Sequence, residues 1–330
     1  MSTLLPWQHA TFDSWMARRD HLPHALLLRG RAGIGKTLFA RAFARALLCE
    51  NLDRKTQEAC GTCGACGWYT QGNHPDFRMV EPEVLAPRGD EGGEGKKEPS
   101  KQIKIEQFRE LQNFLSVGTH RGGQRIVLIR PAEAMNVATA NAFLKSLEEP
   151  PPHTLFLLVT SNYARLLPTV RSRCQVVELG TPSPAEAQQW LSEQGVANAS
   201  TALAHAGYAP LDVLEGKESD VPRTRLLERL ACRENDPLAL TDACAGGELP
   251  QVVVWLQKWI YDLAAVKLNE APRYHPEANE ALRRLGAAMP LSALLTYQRR
   301  LAQARAVAQH PLNPRLFLED LFMQYRALQR

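Results

Sequence analysis

No stretch of this 330-residue chain approaches the roughly 20 uninterrupted apolar residues that a membrane-spanning helix requires. Nor does the N-terminus, Met1-Ser2-Thr3-Leu4-Leu5-Pro6-Trp7, carry a basic region followed by an apolar run, so no secretory signal is visible. The expected compartment is therefore the cytoplasm, with no membrane partner. Charge of one sign is also scarce: 39 Lys and Arg against 35 Asp and Glu leave a formal +4. That balance permits contact with nucleic acid but does not argue for it. No aromatic-rich basic strand or recognition helix is present, which weighs against an autonomous nucleic-acid-binding module. No short-period repeat and no heptad seam are found, which excludes a solenoid or a long coiled coil.

The remaining composition is that of a soluble globular protein, 45% apolar and 22% charged, long enough for two or three domains. The strongest local signal is Gly30-Arg31-Ala32-Gly33-Ile34-Gly35-Lys36-Thr37. The apolar run His24–Arg29 precedes it as a buried strand, and helical spacing follows over Thr37–Leu48. This order is what a phosphate-binding loop needs. Gly30, Gly33 and Gly35 let backbone amides turn inward around phosphates, with the helix N-terminus adding positive potential. Lys36 reaches the terminal phosphates and the Thr37 hydroxyl ligates magnesium. ATP or ADP is the expected ligand; a relic loop that no longer binds is the other reading.

What this loop lacks is its acidic partner. The strand Arg125–Ile129 runs into Arg130-Pro131 where hydrolysing P-loop enzymes carry the carboxylate that holds magnesium. Glu133 is the nearest acid and is expected to face elsewhere. Binding without turnover follows, with an autonomous ATPase as the alternative.

Seven cysteines divide into a cluster and three scattered residues. Cys60, Cys63 and Cys66 recur at three-residue spacing with glycines between them, and Cys49 lies at the end of the helix after the phosphate loop. Disulfides are not expected in a reducing compartment. Four thiolates without an open position fit structural zinc; a redox pair or an iron–sulfur cluster shares the donor type, and His74 lies outside the ligand spacing.

Further strands are predicted at Thr154–Thr160 and Gln175–Leu179, and helices at Ile103–Val117 and Asn136–Leu147. Alternating strands and helices predict a parallel sheet covered on both faces. Residues 82–102, rich in Gly, Glu, Lys and Pro, read as a flexible surface insertion. After Thr181-Pro182-Ser183-Pro184 the pattern is helical throughout. Helices are predicted at Pro184–Gln194, Asn198–Ala206, Thr224–Cys232, Pro250–Leu268, Pro276–Ala288, Leu291–Ala308 and Pro314–Gln329, with a second linker at Gly216–Asp220. Between the last two strands of the sheet lies Thr169-Val170-Arg171-Ser172-Arg173-Cys174. An arginine there fits either a solvated face or a guanidinium offered to the triphosphate of another subunit.

The phosphate loop, the four-cysteine module, Ala140-Asn141-Ala142-Phe143-Leu144-Lys145-Ser146-Leu147-Glu148-Glu149-Pro150-Pro151 and Ser172-Arg173-Cys174 together resemble bacterial DNA polymerase III clamp-loader subunits of the AAA+ class. The resemblance covers nearly the whole chain and is strongest over residues 20–180. It implies an AAA+ α/β domain over 1–180 with a zinc module at 49–66 and the insertion at 82–102. A small helical lid over 181–220 and an all-α collar over 221–330 that joins other subunits follow. It also implies a place in a five-membered ring with tau/gamma motor subunits and a delta subunit, acting on a sliding clamp and primer–template DNA. Pro6-Trp7, the altered acid strand and Leu312–Leu321 are similar to the stator-like members, which have neither ATPase nor polymerase activity of their own. Such members lend an arginine in trans, and Arg173 takes that role here. Thr160 stands at the place of the polar first sensor, and Gly207-Tyr208-Ala209-Pro210-Leu211 lacks the lid arginine of motor members.

Overall fold

The computed structural model describes all residues except 1–3, 54, 87–98, 121–122, 217–220, 233–235, 309, 311 and 330. The chain divides into two compact units, Met1–Pro182 and Ser183–Arg330. The core of the expected insertion and all but the first residue of the second linker lie outside the described residues.

In the first unit, α1 (His9–Met16) precedes β1 (Ala25–Arg29), α2 (Lys36–Leu48), α3 (Gly64–Thr70), β2 (Phe77–Val80), α4 (Ile105–Ser116), β3 (Arg125–Ile129), α5 (Val137–Glu148), β4 (Thr154–Thr160), α6 (Pro168–Arg171) and β5 (Gln175–Glu178). The described strands form one parallel sheet in the order β2-β3-β4-β1-β5. Successive side chains alternate between its faces. Leu26, Leu28, Ile126, Leu128, Leu155 and Leu157 face one core with Phe39 and Phe43 of α2 and Phe12 of α1. Leu27, Val127, Ile129, Phe156 and Leu158 face the other, with Phe108 and Leu111 of α4 and Phe143 and Leu147 of α5. Both sheet faces are therefore covered, as the near-continuous apolar strands predict. Each fully buried side chain of this size contributes about 1.5–3 kcal/mol.

β2, at the sheet edge, and α3 are additions to the predicted set. Phe77-Arg78-Met79-Val80 is short and mixed, and Gly64 and Gly67 weaken any helical signal over α3. α1 was likewise unmarked by its sequence. The ends of the insertion are joined locally: Glu83 accepts from the Ser100 backbone N–H at 2.9 Å and pairs with Lys104 at 2.6 Å.

The second unit is all helical among its described residues: α7 (Pro184–Glu193), α8 (Ala199–His205), α9 (Pro210–Leu214), α10 (Val221–Leu230), α11 (Pro237–Ala243), α12 (Leu249–Lys267), α13 (Asn279–Ala288), α14 (Leu291–Val307) and α15 (Pro314–Ala327). Ser183 opens α7 as the linker sequence predicts. Its hydroxyl accepts the Glu186 N–H, and the Glu186 carboxylate accepts the Ser183 N–H. A small core of Ala187, Leu191, Ala199 and Leu203 joins α7 to α8. A larger one is built on α12, whose Trp255, Leu256 and Trp259 are fully buried against α13, α14 and α15. The Trp259 indole donates to the Tyr325 hydroxyl at 3.0 Å, which in turn removes a buried polar cost. No helix among the described residues is long and apolar enough to cross a membrane.

Candidate functional site

The parallel sheet brings the ends of β1, β4 and β5 to one edge. Arg29, the last residue of β1, is register partner to Thr160 of β4 on one side and Glu178 of β5 on the other. The phosphate loop leaves β1 immediately after Arg29. Gly33 and Gly35 adopt φ of 71° and 90°, a region that side chains disfavour, and Gly35 caps the start of α2. A side chain at Gly30 would meet Ile34 Cδ1 at 2.7 Å and the Leu179 carbonyl at 2.9 Å, so the loop closes only with glycine there. Lys36 is buried, and its ammonium donates to the Arg31 carbonyl within the loop. Thr37 follows on the first turn of α2 and is half-buried.

The loop is held from outside by the N-terminal segment. The Trp7 indole donates to the Ile34 carbonyl at 3.0 Å. The Gln8 amide donates to the Ile34 and Gly35 carbonyls at 3.2 and 2.9 Å, and its oxygen accepts the Leu5 N–H. Gln8 is 1% exposed. Sequence reading singled out Pro6-Trp7 only through a family likeness and missed Gln8, for which no local pattern exists.

At the end of β3, Arg130 does not stand as an open positive charge. It pairs at 2.5 Å with Glu81, a nearly buried acid that follows β2 on the neighbouring strand. Glu133 is also committed. One carboxylate oxygen accepts the N–H groups of Ser161 and Asn162 at 3.0 and 3.1 Å, bracing the turn after Thr160. Its other oxygen is buried without a hydrogen-bond partner. Thr160 itself is fully buried, and its hydroxyl accepts the Asn162 N–H at 3.1 Å.

Arg173 lies just past α6, a single turn seated by buried Leu166 and Val170. Arg171 reinforces the seat, its guanidinium 4.9 Å over the Tyr163 ring, whose centroid is also 5.2 Å from the Arg29 guanidinium. The Arg173 side chain is 36% exposed. Its Nη1 donates to the Thr169 carbonyl at 3.0 Å and its Nη2 pairs with Glu148 Oε1 at 2.6 Å.

The four clustered cysteines converge. Cys49 follows α2, Cys63 caps α3 and Cys66 lies within it, while Cys60 precedes both; all four sulfurs lie within 4.8 Å of one another. Cys49 Sγ is 3.6 Å from Cys60 Sγ and 3.9 Å from Cys63 Sγ. A tetrahedral ion with metal–sulfur bonds of about 2.3 Å separates its sulfurs by roughly 3.8 Å, so the spacing fits. Backbone N–H groups of Thr62 and Cys63 donate to Cys60 Sγ, and that of Cys66 to Cys63 Sγ. Donation from Thr62 and Cys63 brings the Cys60 thiol down to about 6, whereas burial pushes Cys49 up to about 12. All seven cysteines are free thiols. Four thiols with donated N–H groups suit a closed soft-metal site. His74 stays outside it: its Nδ1 accepts the Asp76 N–H at 3.1 Å.

A family model described as "DNA polymerase III, delta subunit" matches residues 9–183, and one described as "DNA polymerase III, delta subunit, C terminal" matches residues 218–326. The chain is 32% identical over 341 aligned residues to the DNA polymerase III subunit delta' of Pseudomonas aeruginosa, covering 99% of each protein. To the subunit delta' of Escherichia coli it is 34% identical over 193 residues, 57% of this chain and 52% of the relative. A further relative is the DNA polymerase III subunit tau of Salmonella typhimurium, 32% identical over 151 residues, 46% of this chain and 21% of that one.

Proposed function

The chain belongs to the delta-prime family of DNA polymerase III clamp-loader subunits, and on that premise we propose that it is the stator-like, non-hydrolysing member of its loader. In this reading it sits with tau/gamma motor subunits and a delta subunit in a ring of five, in the cytoplasm, and helps place a sliding clamp on primer–template DNA. Residues 1–180 form the nucleotide-binding-like domain, 181–220 the lid and 221–330 the collar that joins the other subunits.

The observation that carries the reading is the occurrence of a half-exposed Arg173 and a compromised acid strand in the same unit. Arg130 is locked to Glu81, and Glu133 is bound to the turn after Thr160. A half-exposed guanidinium on a rigid turn suits a γ-phosphate held by a neighbour, because a planar fork stabilises charge spread over phosphoryl oxygens. Gly30, Gly33, Gly35, Lys36, Thr37 and Thr160 would hold ATP or ADP in this chain's own loop as a bound ligand. Cys49, Cys60, Cys63 and Cys66 would hold zinc. That ion would cross-link α2 to α3 and supply no reaction step.

Arg173→Ala tests the trans role. The reconstituted loader should assemble normally and hydrolyse ATP more slowly by up to about 10³-fold. Unchanged turnover in an assembled complex would remove the arginine from the mechanism.

The second reading is an autonomous ATPase. It is favoured by the intact loop together with the buried, unpartnered second oxygen of Glu133. Magnesium-dependent phosphate release by the isolated chain, lost in Glu133→Gln, is what that reading requires.

A further inference from the structure

We infer that Glu148 is a positioning residue for the Arg173 guanidinium; the inference rests on the trans role proposed for that arginine. Glu148 is the last residue of α5, and Glu149 follows it as the C-cap. A helix C-terminus carries partial negative charge, so an acid there is disfavoured and a cation favoured. Two acids in succession at this pole are offset by Lys145 in the same last turn and by a cation from outside the helix. Arg173 supplies it, with Nη2 2.6 Å from Glu148 Oε1.

The rest of the guanidinium's surroundings come from its own turn. Nη1 donates to the Thr169 carbonyl at 3.0 Å and lies 3.4 Å from the Ser172 hydroxyl. Those contacts are local to one short stretch of chain and hold one end of the fork. Glu148 holds the other end from a different element, one anchored in the core through Phe143 and Leu147. A guanidinium contacted at both Nη atoms has its orientations biased before any phosphate arrives. Its five donors exceed the contacts described, so donors remain for a phosphate.

Magnitude separates positioning from locking. Glu148 is 49% exposed and Arg173 36% exposed. An ion pair this open is screened by water and weak, too weak to withhold the arginine from a triphosphate. It is enough to choose among orientations of a flexible side chain.

The experiment uses the reconstituted loader carrying wild-type chain, Arg173→Ala, Glu148→Gln, Glu148→Asp, the double variant Glu148→Gln/Arg173→Ala, and Glu149→Gln as a neighbouring-acid control. Assembly is read by mass and ATP turnover by kcat and KM. Glu148→Gln should lower kcat about three- to tenfold, the scale of ordering one rotamer-rich side chain, while leaving the KM for ATP within about twofold. Glu148→Asp, which keeps the charge, should recover part of the loss, and Glu149→Gln should turn over as wild type does. The double variant should be no slower than Arg173→Ala, because a group that acts through the arginine has nothing to position once it is gone. Wild-type kcat in Glu148→Gln, or a loss that adds to that of Arg173→Ala, overturns the inference while leaving the trans role intact. Wild-type turnover in Arg173→Ala overturns both. If Glu148→Gln fails to assemble, Glu148→Ala and its double with Arg173→Ala decide by the same outcomes: reduced kcat with non-additivity supports positioning, and wild-type kcat or an additive loss overturns it.

Discussion

At the scale of single residues, the informative contrast is between the cysteines and the acids. Cys60, Cys63 and Cys66 announced themselves because ligand spacing is local, and the fold brings Cys49 to them. The partner of Arg130 had no such signature. Glu81 lies on another strand, and only the parallel pairing of β2 with β3 puts the two side by side. The same holds for Glu148 and Arg173. Sequence reading placed a positive charge at the expected metal position; the structure shows that charge paired. Glu81 is 6% exposed at the side chain, so removing its cation leaves a carboxylate with little access to water. Arg130→Ala should therefore lower the stability of the first unit by about 3 kcal/mol. Replacing both partners by apolar residues, Arg130→Met with Glu81→Leu, should recover most of the loss. Denaturant unfolding of the three proteins checks this. Equal midpoints for wild type and Arg130→Ala would show that the pair is solvated and weak.

At the scale of elements, long periodic segments were legible and several short ones were not. β4 matches its predicted bounds, and α2, α5, α12 and α14 differ from theirs by a residue or so, as frayed helix ends allow. α9 and α11 escaped, although α8, of seven residues like α11, was read; helices this short offer few turns in which to display a period. Also hidden was the turn after α12. Asp262 of α12, fully buried, accepts from that turn the N–H groups of Arg273, Tyr274 and His275 at 2.7, 3.0 and 2.8 Å, and the His275 Nδ1–H at 2.9 Å. Burial lowers the His275 pKa below its ordinary value despite the favourable Asp262 contact; Arg223 and Glu277 also face it. The neutral ring is thus the folded form. An unfolded histidine takes its proton near pH 6.5, and the folded one only at lower pH. In that interval the unfolded chain binds more protons, so stability is full above about pH 6.5 and falls as pH drops through it. Urea midpoints read from buried Trp255 and Trp259 should fall from pH 7 to pH 5. His275→Gln should flatten that slope for the second unit. His74, whose pKa burial also lowers, predicts the same sign for the first unit. An identical slope in His275→Gln would assign the acid loss to other groups.

At the scale of the whole chain, the question is whether an intact phosphate loop implies work. The loop's peptide planes are held by Trp7 and Gln8 from one side, and its lysine is buried within it. These are features of a site kept in shape, which costs conformational freedom and is expected where a ligand binds. Hydrolysis needs more: a carboxylate for magnesium and a group to orient water. Here the strand end carries Arg130 paired with Glu81, and Glu133 is committed to the turn after Thr160. Native mass measurement of the purified chain should therefore find one zinc ion, lost in Cys63→Ser, and one bound ATP or ADP, lost in Lys36→Ala. Phosphate release from magnesium-ATP should stay at background in the wild-type chain. Robust release that Glu133→Gln abolishes would move this protein among the motors. Background release with no nucleotide bound would make the loop a structural relic, and would leave Arg173 as its one contribution to ATP chemistry. Nucleotide bound without release would make the chain a holder of a phosphate ligand that takes part in turnover only through the arginine it presents.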